Sequence, residues 1–188
     1  MAKPKEKILQ LKIQLRGSKP PIWRRIFVKE STTLGSLHEI IQIAMGWTDS
    51  HLHSFIYRGE EYGTPDPEFD FGDEMKNENR YKIGSLLKKP KDKMTYTYDF
   101  GDNWEHVVTF EDIETDCKET FLPVCIAGKK ACPPENCGGV DGYYGMLDEL
   151  KDGANENIEE IREWLGEDFN PDFFDINEIN KALKAMFT

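Results

Sequence analysis

Apolar residues at alternate positions open the chain. Leu9, Leu11, Ile13 and Leu15 fall on one side of an extended segment, and Gln10, Lys12, Gln14 and Arg16 on the other. That period of two is the mark of a half-buried strand. Gly17-Ser18-Lys19-Pro20-Pro21 interrupts it, and Ile22 to Val28 predicts a second strand closing a hairpin. Each proline fixes φ and removes a donor, which favours the return. The period then changes. After the N-capping run Ser31-Thr32-Thr33, residues Leu34, Leu37, Ile41, Ala44 and Met45 recur at helical spacing, and Gly46 supplies a stop.

Alternation returns at His51 to Tyr57, a third strand with His51, His53, Phe55 and Tyr57 on one face. Residues 59–80 are rich in Gly, Pro, Asp and Glu and read as a loop. A structureless loop of about 20 residues is uncommon in a compact domain and often functional. Ile83 to Leu87 predicts one helical turn, stopped by Pro90. Lys93–Phe100 and Trp104–Ile113 are two strong strands around the turn Gly101-Asp102-Asn103. Trp104, His106, Val108 and Phe110 share a face of the second.

Cys117 to Gly142 reads as irregular, because Ala131-Cys132-Pro133-Pro134-Glu135-Asn136-Cys137-Gly138-Gly139 holds two prolines and two glycines. From Tyr143 the pattern is helical. Met146, Leu147 and Leu150 form one face; Ile158, Ile161, Trp164 and Leu165 form a second, ended by Gly166. Asp175 caps a last helix with Ile179, Leu183 and Met186 inward and Glu178 at the capping-box spacing. The order hairpin, helix, further antiparallel strands, helices predicts an α+β fold: a β-grasp-like mixed sheet with a C-terminal helical extension. We expect a single domain over 1–188, with a sheet and helix core at 7–115, an irregular Cys/Pro/Gly loop at 116–142 and the helical extension at 143–188. No internal repeat is present.

Composition and charge narrow the function classes. With 188 residues, 38% of them hydrophobic and 12% aromatic, the chain can build a core without covalent staples. No apolar run approaches membrane-spanning length, and the N-terminus lacks the apolar segment of a signal peptide, so a cytoplasmic protein is expected. Net charge is −11. Residues 1–30 carry nine basic and two acidic side chains, and residues 145–188 four basic and 12 acidic. An acidic protein repels phosphate backbones, so nucleic acid is disfavoured as a partner; the basic N-terminal hairpin keeps a local exception open.

The densest chemistry lies in Tyr96–His106, with its aromatics, Asp99, Asp102 and His106. His51 and His53, two apart on a strand, point the same way and could share a divalent metal, with His106 as a third ligand or Asp99, Asp102 or Glu135 in its place. The alternative is ordinary: one histidine hydrogen-bonded in the core and the other exposed. Asp99 and Asp102 flank a turn, where aspartates first of all cap backbone N–H groups. Cys117, Cys125, Cys132 and Cys137 fall within 21 residues but lack zinc-ribbon spacing. Buried thiols are the favoured reading. Walker, G-x-G-x-x-G, G-x-S-x-G, H-E-x-x-H and EF-hand patterns are absent.

Three motifs together, Trp47…His51-Leu52-His53-Ser54-Phe55, Tyr96-x-Tyr98-Asp99-Phe100-Gly101-Asp102-x-Trp104-x-His106, and Ala131-Cys132-Pro133-Pro134-Glu135-x-Cys137-Gly138-Gly139-x-x-Gly142-Tyr143, resemble the plasmid pRi open-reading-frame-three-like family. The N-terminal Leu-x-Ile-x-Leu…Pro-Pro-Ile-Trp-Arg-Arg fits it too, and the resemblance runs from about residue 7 to residue 187. It implies a protein of plasmids and mobile elements with no established activity. A resolvase-like label attached to some members does not transfer, since Arg16, Arg24, Arg25, Arg58, Arg80 and Arg162 do not cluster with the acidic motif. The combined expectation is a binding or interaction module for a protein, peptide or small cationic ligand. Its acidic, aromatic-lined pocket would be formed by His51, His53, Tyr98, Asp99, Asp102, Trp104, His106, Cys132, Glu135 and Tyr143. The alternative is a metal-dependent hydrolase built on the same His/Asp/Glu cluster; an accessory DNA-associated role is the weakest of the three. Whether the chain is an enzyme is left open by its sequence.

Overall fold

A computed structural model of the chain describes residues 6–65, 75–152, 158–166 and 169–188. Among these, eight strands form one sheet and five α-helices surround it. The strands are β1 Ile8–Leu15, β2 Trp23–Lys29, β3 His53–Tyr57, β4 Glu60–Gly63, β5 Lys76–Asn77, β6 Lys93–Tyr98, β7 Trp104–Glu114 and β8 Val124–Lys129. The helices are α1 Leu34–Met45, α2 Ile83–Leu86, α3 Gly139–Asp152, α4 Ile158–Leu165 and α5 Ile176–Phe187, with a 3-10 turn at Glu78–Arg80.

The sheet order is β5-β4-β3-β6-β7-β1-β2-β8. All pairs are antiparallel except β4 with β5. The two hairpins read from sequence, β1–β2 and β6–β7, lie side by side because β1 also pairs with β7. Their alternation sends Leu9, Leu11, Ile13 and Leu15 into the core together with Trp104, Val108 and Phe110. Against them packs α1, which buries Leu34, Leu37, Ile41, Ala44 and Met45. Its Thr33 Oγ1 accepts from the Ser36 N–H, and Gly46 closes it in the left-handed region at φ 89°.

The fold is α+β, as expected, but its sheet is larger than a β-grasp. Two segments read as irregular supply outer strands. The start of the 59–80 stretch forms β4 against β3, its end forms β5 and the 3-10 turn, and residues 66–74 lie outside the described residues. The 116–142 stretch contains β8, paired with β2. These strands are short and hold Gly, Glu or Lys, so their own pattern is weak and pairing with a longer neighbour makes them. The last helix is docked against β8 and α1 rather than projecting. Asn180 of α5 accepts from the Cys125 N–H at 2.7 Å and donates to the Cys125 carbonyl at 2.8 Å. Among the described residues no helix is long and apolar enough to cross a membrane.

Candidate functional site

The connector between α1 and β3 is where the three sequence motifs meet. Every residue from Trp47 to His51 is held by a side-chain contact. Trp47 donates from Nε1 to the Pro133 carbonyl at 3.0 Å. Thr48 donates to Glu135 through its N–H and its hydroxyl. The Asp49 N–H donates to Gln42 Oε1, and the Ser50 N–H to the Tyr98 hydroxyl at 2.9 Å. His51 Nε2 stands 3.6 Å from Asp99 Oδ2. Tyr98 donates in turn to Glu135, so one carboxylate ties the Pro-Pro-Glu loop to the connector and to β6. Burial pushes the Tyr98 phenol well above its ordinary range, as does its bond to Glu135, and it stays a donor at any ordinary pH.

The rings of this region are packed rather than open. Tyr98 and Trp104 are fully buried, Tyr143 nearly so, and Trp47 stacks on Tyr98 with centroids 5.1 Å apart. The expected aromatic pocket wall is therefore core. Asp99 Oδ1 caps the Gly101 N–H at 2.9 Å, and Asp102 Oδ2 accepts from the Gly138 N–H at 3.2 Å. The first is a turn cap; the second anchors the neighbouring loop. Asp99 and Asn103 take the left-handed backbone of this turn, at φ 56° and 54°.

The three histidines proposed as a metal triad do not converge. Extended backbone starts at His53, because Asp49 has φ 57° and the chain bends through Ser50 and His51. His51 therefore sits outside the strand and faces Asp99, whereas His53 donates to Glu78 Oε2 at 2.9 Å. His106 is fully enclosed, with Nδ1–H donating to the Trp104 carbonyl at 2.9 Å and Nε2 without a partner. Burial pulls its pKa down to about 4, so it is a neutral core ring at ordinary pH.

Cys132 and Cys137 belong to the same loop, and neither is an activated nucleophile. Burial is the main cause in both: it raises the Cys132 thiol far above its usual range and pushes Cys137 up to about 12. The four cysteines form no disulfide with one another.

Sequence reasoning missed His38. It lies on the buried side of α1 at 4% exposure, four residues before Gln42, which is equally buried. Two polar residues at i and i+4 on an apolar helix face are a legible signal, since buried polar groups need partners. His38 Nδ1 is 2.8 Å from the Tyr96 hydroxyl and Nε2 is 2.8 Å from Asp49 Oδ1. Gln42 donates to Tyr96, so the phenol hydrogen goes to Nδ1 and His38 donates from Nε2 to Asp49. The His38 and His53 rings stack 3.4 Å apart and within 3° of parallel. Burial and the His53 charge lower the His38 pKa. Burial alone would raise Glu78, but its bond to His53 brings it below the ordinary value.

The basic N-terminal hairpin is partly neutralised within the sheet. Arg16 pairs with Glu105, and Arg25 makes a bidentate pair with Glu111, at 2.5 and 3.1 Å. These partners come from β7, not from the acidic residues 145–188.

Comparison with known proteins places these features in a family. The family model described as plasmid pRiA4b ORF-3-like protein matches residues 7–178. The uncharacterised protein y4hQ of Sinorhizobium fredii is 35% identical over 185 residues, covering 95% of this chain and 92% of that one. The crystal structure of MM3350, a protein of unknown function from Methanosarcina mazei Go1, superposes with a TM-score of 0.83 at 40% identity. That match spans 92% of this chain and 97% of the other.

Proposed function

We propose that this chain, which belongs to the plasmid pRiA4b ORF-3-like family, is a cytoplasmic binding protein for a small amphipathic molecule bearing a single carboxylate. The observation that carries the reading is Arg24. It is 3% exposed, yet no carboxylate among the described residues lies within ion-pair reach of it. Its Nε donates to the Ala44 carbonyl at 2.8 Å, and Nη1 to the Trp23 and Lys129 carbonyls at 3.0 and 3.1 Å. Nη2 has no hydrogen-bond partner among the described residues.

With no carboxylate beside it among the described residues, the guanidinium carries a desolvation cost that the carbonyl end of α1 only partly offsets. Arg24 lines a cleft of about 290 Å³ between the end of α1, the 131–134 loop and α5. Much of the remaining wall is apolar, including Met45, Pro133, Phe169, Phe174 and Ile179. The guanidinium carbon of Arg24 lies over the Phe174 ring, 4.9 Å from its centroid. Asp175 and Glu178 also line the cleft and repel anions, a dianion more than a monoanion, so a single carboxylate seated at Arg24 is tolerated better than a phosphate. The four free thiols suit a reducing compartment.

Calorimetric titration with aliphatic and aromatic monocarboxylates, each beside its matched alcohol, tests the reading. A hydrogen bond to a charged group contributes roughly 1.5–3 kcal/mol, so the acid should bind about 10- to 100-fold tighter than the alcohol. Arg24→Met should erase that difference. Ile179→Trp, which fills the cleft and leaves the cation in place, should abolish both. Equal affinity for acid and alcohol, or binding that survives Ile179→Trp, would defeat the proposal.

A further inference from the structure

Apart from the Arg24 cleft, the molecule gathers two imidazoles and two carboxylates from four separate elements. His38 comes from α1, Asp49 from the connector, His53 from the first position of β3 and Glu78 from the 3-10 turn. One ligand atom each of His38, Asp49 and His53 lie within 4.8 Å of one another, and theirs is the only group of this kind among the described residues. Glu78 joins through its 2.9 Å contact with His53 Nε2.

We propose that these four side chains form a binding site for one divalent transition-metal ion. Imidazole nitrogens with carboxylate oxygens are a borderline donor set that suits zinc, cobalt, nickel or manganese rather than calcium or magnesium. Two carboxylates and two neutral imidazoles also balance a charge of two. The groups behind the ligands are already in place. Tyr96 holds Nδ1 of His38 and is itself held by Gln42, while Thr64 donates to Glu78 Oε1 at 3.2 Å. Such outer partners fix ring orientation and ligand basicity at metal sites.

The metal-free geometry states what must move. Parallel stacked rings have parallel in-plane lone pairs, which cannot meet at one ion. Zinc–nitrogen and zinc–oxygen bonds of about 2.0–2.2 Å also require ligand atoms closer together than 4.8 Å. The ion therefore opens the stack, turning one ring and drawing in Asp49, whose side chain is 56% exposed. Coordination at His38 Nε2 moves the ring hydrogen to Nδ1, which then donates to the Tyr96 oxygen, and the phenol hydrogen swings off that line. His51 takes no part, being directed to Asp99.

The experiment is a cobalt chloride titration of the untagged, full-length chain after chelator treatment, read by visible absorption. One ion per chain should give the intense d–d band of low-coordinate nitrogen and oxygen ligation. Asp49→Ala and His53→Gln, each checked for native folding by far-UV circular dichroism, should each weaken binding by more than about 100-fold. That exceeds the roughly 10- to 100-fold typical of losing an outer partner. His51→Gln should bind as the parent does. No band in the folded parent, a band unchanged in Asp49→Ala and His53→Gln, or a thiolate charge-transfer band reporting cysteine ligation would each overturn the site.

Discussion

Lowering the pH from 6.5 to 4 should remove on the order of 3 kcal/mol of folding stability through His106 alone, by the equivalence of pKa shift and free energy. The ring is completely buried and its folded pKa is about 4, against 6.5 for an unperturbed histidine. The unfolded chain therefore takes up the proton first. Stability from this group is fully present above pH 6.5 and drains away as the pH falls toward 4. His38, also depressed by burial, contributes in the same direction. Urea denaturation across this window should show ΔG falling steadily toward acid. His106→Leu removes the titrating group, and its curve should be distinctly flatter over the same range. Parallel curves for parent and variant would mean that the buried ring is not the source of the acid sensitivity. The carboxylates with depressed values, Glu78, Asp92 and Glu111, act lower in pH and do not mimic the effect.

Gly142→Ala should be strongly destabilising. A Cβ at Gly142 would stand 2.0 Å from the Cys137 carbonyl oxygen, a backbone atom that cannot swing aside. The helix start would have to lift from the Cys/Gly loop, at a cost of about 3 kcal/mol or more by the scale of overpacked sites. The same helix provides its own control. At Gly145, three residues on, a Cβ meets nothing within 4 Å. Gly145→Ala should therefore stabilise, by about 1 kcal/mol on helix propensity alone. Chemical denaturation of the two single variants gives opposite signs if the close approach is real, and matching signs if it is not.

The strands that carry the centre of the fold could be read directly, because alternation over six to eleven residues leaves no other assignment. β1 and β7 are buried at every second position for most of their length, as their sequences say. The helix α1 was legible from both its caps. Two of the outer strands were not. Glu60–Gly63 and Val124–Lys129 hold too few apolar residues in alternation, and Gly128 is required for another reason: a Cβ there would strike the Phe174 ring at 2.4 Å. Of the site, motif chemistry proposed the His51–His53 strand, the Tyr98–Asp99 turn and the Glu135 loop as one pocket; the bonds of Thr48 to Glu135 and of Ser50 to Tyr98 were not foreseen. Nor was the partnership of His53 with His38 and Glu78. It depends on a helix crossing the sheet and on a short turn next to β5, neither of which leaves a mark in local spacing. The wrong partner, His51, came from extending β3 two residues too far, past a left-handed Asp49 that sequence alone does not signal.

Asn180 has a bearing on how this protein behaves in a crowd. β8 is the outermost strand on its side of the sheet, and its exposed backbone would be a ready template for a neighbouring chain. The carboxamide of Asn180 occupies both backbone groups of Cys125, as a partner strand would. On the far side, β5 is only two residues long and offers little to recruit. The C-terminal helix thus acts as a stopper against fibril-like growth along the sheet. Asn180→Ala should hasten aggregation in light scattering near the unfolding midpoint more than its loss of stability explains.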